Sequence, residues 1–466
     1  MKYDVIIVGA GPAGIFTAWE LSRLDPGKKI LLIEKGRSIE KRVCPKRETG
    51  HCANCKPCNI TTGFSGAGAF SDGKLILSPE IGGNLIDFIP EDALIELIGY
   101  MDEIYLSFGA DTKVYGGEQN EAIERIKRQA IRSNLKLVES RLRHIGTEKC
   151  YEIYTKIEKE LRMRKIELLF ETQVESLIIE NKTVRGVVAG AEYLADAVVL
   201  AVGREGADWL GKLCGDYGIE TRVGVVDIGV RVEVRNELMR EVNEALYESK
   251  LVYYTRTFDD MARTFCQNPG GMVSTEYYDG GLAIVNGHSY KSEEFKTHNT
   301  NFAILVSNHF TEPFRDPIAY GKYIAHLANM LSGKKVIVQR FGDLQRGRRT
   351  THSRLLRNNI RPTLKDAVPG DLSLVFPYRI MLDIKEMIEA LDNIFPGMAS
   401  DETLLYGVEV KFYSNRIITG NTFESSVRGL YAAGDGAGIT RGLMQAGING
   451  IVIGRVLAGG QTERKG

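Results

Sequence analysis

The stretch "DVIIVGAGPAGIFTAWEL" constrains the fold more than any other part of the chain. Val5 to Val8 read as a buried strand, Gly9, Gly11 and Gly14 follow, and Ile15, Ala18 and Leu21 then recur at helical spacing. In such a strand, turn and helix, Gly9 permits the tight turn and Gly11 lets a pyrophosphate approach the backbone. Gly14 lets helix and strand pack closely, and the helix N-terminus faces the negative charge. A second strand, "KILLIEKG", ends on Glu34, twenty residues past Gly14, where a carboxylate can accept ribose hydroxyl hydrogen bonds. An acid there disfavours the 2'-phosphate of NADP. The pattern predicts an α/β, Rossmann-like domain: three layers around a mostly parallel sheet.

NAD and FAD share this fingerprint, and the far end of the chain separates them. "VRGLYAAGDGAGITRGLMQAGINGIVIGRVLA" reads as a strand, a Gly-Asp turn and a long helix. It resembles the C-terminal motif of flavoproteins with two dinucleotide-binding domains, which implies Gly434 at the turn and Asp435 on a ribityl hydroxyl of FAD. "ADAVVLAVGREGADW" resembles the strand and turn that those proteins place beside FAD, with Gly203 at the turn. "LLFETQVESLIIENKTVRGVVAG" resembles their preceding strand pair, in which the backbone at Val174 contacts the adenine.

Further segments sharpen the likeness: "GFSGAGAFSDGKLILS", "RHIGTE", "VDIGVRVEV" and "LLYGVEVKFYSNRI". Together they resemble the bacterial and archaeal FAD-dependent dehydrogenases, within the superfamily of fumarate-reductase-like and geranylgeranyl-reductase-like enzymes. The likeness implies a discontinuous FAD domain at 1–115, 135–220 and 400–466. Between its pieces, β-rich runs separated by Gly and Asp turns predict an antiparallel sheet, with helices near 317–332 and 383–394, as a substrate or cap domain at 221–399.

"CPKRETGHCANCKPC" at 44–58 sets Cys44, Cys52, Cys55 and Cys58 in a Cys-rich loop between the ribose strand and the glycine-rich segment. Four thiolates match the ligand count of a [4Fe-4S] cluster and of tetrahedral zinc alike, and free thiols are the third reading. His51 is a candidate substitute ligand.

Gly66 and Gly68 are placed to bring backbone close to the cofactor, with Asp72 and Lys74 following. His144 is a candidate proton donor or carbonyl-polarising group, or else a buried, hydrogen-bonded histidine. Lys74 is a second catalytic candidate. Glu409 and Lys411 alternate on one strand face and read as a structural ion pair. The run "QRGRRTTHSRLLRNNIRP" offers Arg348 and Arg349 to an anionic substrate or to an acidic electron carrier.

Sixty Lys and Arg balance sixty Asp and Glu, so no net field draws the chain to nucleic acid or anionic lipid. No window reaches the roughly 18 uninterrupted apolar residues of a spanning helix, and no export signal precedes the first strand. The expected location is cytoplasmic. The expected function is an FAD-dependent oxidoreductase acting by hydride or paired-electron transfer on a small, anionic substrate. Its electrons would come from a ferredoxin-like donor through an iron-sulfur port, or from transiently bound NAD(P)H. A flavin monooxygenase and a non-redox protein with structural FAD and zinc are the alternatives.

Overall fold

Lys2–Val8 forms a strand flanked by parallel neighbours on both sides: Val5 lies opposite Ile30 on one and Ala197 on the other. With both faces covered, Val5 to Val8 run apolar without alternation, and Ile6 and Ile7 are fully buried. The computed structural model describes residues 2–460 apart from 46–52, 54, 72, 117–120, 139–140, 223, 247, 279–280, 290–292, 309, 311–313, 315 and 413–415. His51, Cys52 and Asp72 therefore lie outside the described residues.

The chain divides into two units. The first comprises Met1–Val114, Leu142–Gly224 and Tyr413–Gly466. Its seven-stranded sheet runs Glu167–Leu169, Ile30–Ile33, Lys2–Val8, Glu192–Leu200, Thr183–Val188 and Ser176–Glu180, and Leu430–Ala432 also pairs with Glu192–Leu200. The first four and Leu430–Ala432 pair in parallel, while the last two named join by antiparallel pairing.

Helix Pro12–Leu24 begins with proline, whose fixed φ suits a first turn, and packs along helix Leu443–Leu457. A Cβ on Gly450 would sit 2.1 Å from the Ala13 carbonyl oxygen, so only glycine lets these two backbones meet. Each aliphatic side chain buried in this core contributes about 1.5 to 3 kcal/mol.

The second unit comprises Tyr115–Arg141 and Val225–Phe412. Its eight-stranded sheet is antiparallel except where Val368–Pro369 joins Ile337–Arg340. Strand Val226–Arg235 alternates: Val226, Ile228, Val230, Val232 and Val234 share a core with residues of helices Pro317–Ser332 and Tyr378–Asp392. Asp227, Arg231 and Glu233 take the opposite face and are also buried.

Three details differ from the sequence expectation. Leu135–Val138 pairs with residues 250–253 and Leu404–Phe412 lies between Ile337–Arg340 and Val226–Arg235, so 135–141 and 400–412 belong to the second unit. Long-range strand pairing decides that membership, and local sequence does not report it. Third, Met272–Tyr278 and Leu282–His288 form a two-stranded ribbon of their own outside the large sheet.

Candidate flavin site

Parallel strands Lys2–Val8, Glu192–Leu200 and Leu430–Ala432 lie side by side, so the three turns at their C-terminal ends gather at one edge of the sheet, where open α/β folds bind ligands. The first turn holds Gly9 at φ 103°. Gly11 precedes helix Pro12–Leu24 with no capping side chain, and a Cβ there would meet nothing within 4 Å. Among the described residues no side chain caps this helix start, so its first amides are open to an anion.

The second and third turns touch. The amide of Gly436 donates to the Val202 carbonyl (3.1 Å), and Arg204 Nε lies 3.9 Å from Asp435 Oδ2, next to Gly203. Gly434, at φ 80°, donates its N–H to Asn449 Oδ1 (2.9 Å). Asp435 accepts from the Thr440 hydroxyl (3.0 Å) and the Gly442 amide (3.2 Å). Burial pushes its carboxyl above the ordinary value, against the pull of Arg204. Among the described residues, Gln445 Oε1 and Asn449 Nδ2 are buried without a hydrogen-bond partner. An uncapped helix start, open space at Gly11 and two unspent polar atoms on the C-terminal helix fit a dinucleotide cofactor.

Glu34, 7% exposed, does more than the sequence reading gave it. Its Oε2 accepts from the Ala10 amide (2.8 Å), and its Oε1 from those of Gly36 (2.8 Å) and Gly63 (3.2 Å). One lone pair of Oε2 remains for a ribose hydroxyl. Val174 is buried and follows Thr172, whose amide donates to the Glu34 carbonyl (3.1 Å). Gly66, at φ 57°, brings its backbone beside Gly11. Gly68 serves packing: a Cβ there would meet Leu443 at 2.9 Å and Tyr154 at 3.2 Å.

Lys74 and His144 are direct partners across an antiparallel pair, Lys74–Ile76 with Leu142–His144. His144 is buried and Lys74 half-buried. Cys44 and Cys55 are partly exposed and Cys58 is exposed. Among the described residues, no three His, Cys, Asp or Glu side chains are placed to hold a metal ion. Arg348 bonds the buried Asp343 (2.8 Å), whereas Arg349 is exposed. In the second unit, Lys411 Nζ lies 2.9 Å from Glu409 Oε1.

Sequence reasoning missed Arg204, Thr440, Gln445 and Asn449. The last two, four apart in "GLMQAGING", are polar residues in the apolar first part of the helix, a signal that was available.

Residues 226–412, nearly the whole compact span of the second unit, match the profile of "FAD-dependent protein, C-terminal domain-like". The chain carries the C-terminal domain of an FAD-dependent protein. Residues 7–57 of this flavoprotein match the NAD(P)-binding Rossmann-like domain. An uncharacterized protein from Clostridium beijerinckii is 25% identical over 97% of the flavoprotein and 80% of its own length. Similar solved folds include L-proline dehydrogenase from P. horikoshii (14% identity, TM-score 0.40, covering 99% of this chain and 95% of that one). E. coli quinol fumarate reductase FrdA is another (15% identity, TM-score 0.41, 98% and 70%). Among the described residues of the flavoprotein, no helix is long and apolar enough to cross a membrane.

Proposed function

We propose that this flavoprotein is an FAD-dependent oxidoreductase that exchanges a hydride or an electron pair with a small anionic substrate. The observation that carries the reading is the meeting of three glycine turns at one sheet edge, with Asp435 and an uncapped helix start among them. FAD, when bound, supplies the redox chemistry. In the proposal, the amides at Gly11 and the start of helix Pro12–Leu24 hold the pyrophosphate, Glu34 Oε2 and the backbone near Val174 hold the adenosine half, and Asp435 holds the ribityl chain. Gly66, Gly203 and Gly434 keep side chains away from the cofactor. His144 and Lys74, cross-strand neighbours, are the candidate proton-handling groups, and the exposed Arg349 is a candidate contact for the substrate's negative charge.

An iron-sulfur cluster on Cys44, Cys52, Cys55 and Cys58, with zinc as the alternative ligand of the same thiolates, is part of the proposal on ligand count alone. A ferredoxin-like carrier or NAD(P)H would then be the electron partner, in the cytoplasm.

The test is anaerobic. The full chain is reconstituted with FAD, and the flavin absorbance is followed while small hydroxy and amino acids, and separately NAD(P)H, are added. Bleaching by an organic acid with formation of its two-electron oxidised product supports the reading. Reduction by NAD(P)H, with oxygen-consuming hydroxylation once oxygen is admitted, would replace it with a monooxygenase. A chain that takes up no FAD would end it.

A further inference from the structure

The cysteine-bearing segment and the nucleotide turn share their fixings. Glu34 Oε1 accepts the amides of both Gly36 and Gly63, and the Phe64 amide donates to the Arg37 carbonyl (3.0 Å). Residues 36–37 thus meet 63–64, and a Cβ on Gly36 would lie 2.5 Å from the Gly63 nitrogen. This contact closes the base of 38–62, which carries all four clustered cysteines.

Arg42 fastens the base from inside. Only 3% exposed, it donates to the carbonyls of Asn59 (2.9 Å), Ile60 (2.8 Å) and Phe64 (2.5 Å) and to Ser65 Oγ (3.1 Å), and its guanidinium lies 4.7 Å from the Phe70 ring centre. These acceptors are all neutral, and burial lowers the guanidinium to about 10. Arg42 stands two residues before Cys44, and its acceptors begin one residue after Cys58. The same Ser65 donates its amide to the Ala10 carbonyl (2.7 Å), and Ala10 donates its own to Glu34 Oε2. Ala10 lies between Gly9 and Gly11. One unbroken chain of hydrogen bonds therefore runs from both ends of the cysteine segment to the phosphate turn.

We propose that Arg42, Glu34 and Ser65 couple the nucleotide turn to the cysteine segment, so that FAD binding tightens the segment's base and a change at the cysteines alters FAD retention. Linkage makes the two effects reciprocal, so either direction tests the coupling. The proposal rests on the flavin reading, but it requires neither a cluster nor zinc. Arg42 acts here as a positioning residue.

The test uses the whole chain, stripped of flavin and treated with EDTA. Alkylation of Cys44, Cys55 and Cys58 by iodoacetamide is timed by mass spectrometry with and without FAD, with Cys266 of the second unit as internal control. FAD binding is followed in parallel by quenching of flavin fluorescence. FAD is expected to slow alkylation of Cys44 or Cys58 by at least about fivefold, the lower end of ordinary coupling. Arg42→Met and Ser65→Ala are expected to remove or shrink that protection. Alkylation rates in the unaltered chain that do not change while FAD binds would overturn the coupling and leave the flavin reading intact. FAD that fails to bind would overturn the flavin reading, and the coupling with it. The comparison in the unaltered chain decides the matter even if Arg42→Met does not fold.

Discussion

Arg231 and Glu409 form a bidentate ion pair in which neither side chain has any solvent exposure, with Nε to Oε2 at 2.9 Å and Nη2 to Oε1 at 3.1 Å. Asn301 Oδ1 (3.1 Å) and the Cys266 carbonyl (3.0 Å) take Arg231 Nη1, and Lys411 adds a second cation to Glu409. Burial pushes the Glu409 carboxyl up, but Arg231 and Lys411 outweigh it and hold the group below its ordinary range.

Removing one partner leaves a buried charge unpaired. Arg231→Met is expected to cost about 3 to 5 kcal/mol in urea unfolding. Because the folded carboxyl is depressed, the Glu409 contribution is present above the ordinary carboxylate range and is lost as pH falls through the lower folded value. The unaltered chain should therefore lose more stability on acidification than Glu409→Gln does. Equal acid sensitivity in the two would contradict this.

Asp383 carries the opposite sign. Fully buried, it accepts the Thr255 hydroxyl on Oδ1 (2.8 Å), and its buried Oδ2 has no hydrogen-bond partner among the described residues. Burial, with the negative charge of Asp260, pushes its carboxyl up to about 6 against the Thr255 bond and Arg379. Its contribution to stability is then complete below the unfolded value near 3.8 and is lost as pH rises through about 6. Asp383→Asn should raise the melting temperature at pH above this window and change it little below. A gain of the same size at both ends would rule out the titration.

Arg348 and Arg349 are adjacent in sequence but not in role. Arg348 bonds Asp343, which is fully buried and also accepts the Thr350 hydroxyl (2.8 Å). Arg348→Ala is expected to cost roughly 1 kcal/mol in thermal unfolding, because a buried acceptor loses a charged donor. Arg349→Ala should leave stability within about 0.5 kcal/mol, and any effect it has should fall on substrate KM. Equal destabilisation by the two would show that both arginines are structural.

This pair illustrates what the sequence could and could not convey. Local signals sufficed for the glycine turn, the Gly-Asp turn and helix Pro317–Ser332, since each depends on neighbouring residues, whereas the helix expected near 383–394 starts earlier, at Tyr378–Asp392. The buried charges of the second unit were invisible as a group. "VDIGVRVEV" announces alternation, but the partners of Arg231 and Asp227 stand far away at Glu409, Asn301, Arg263 and Ser307. Nothing local marks Arg42, which follows Lys41 in the sequence, and only the carbonyls that return from Asn59 onward reveal its place. Glu34 was recognised through its spacing, yet its grip on Gly36 and Gly63 depends on a chain reversal that spacing does not encode.

The central claim is that FAD occupies the turn at Gly11. This glycine has φ −75° and ψ 178°, an extended conformation open to any residue, and a Cβ would meet no atom within 4 Å. A valine there should cost the fold almost nothing while filling the space assigned to the pyrophosphate. The decisive measurement is FAD affinity of Gly11→Val against the unaltered chain by fluorescence titration, with thermal unfolding of the flavin-free proteins beside it. Matching unfolding curves with at least about a tenfold loss of FAD affinity is the predicted result. Undiminished FAD affinity in the variant would contradict the assignment.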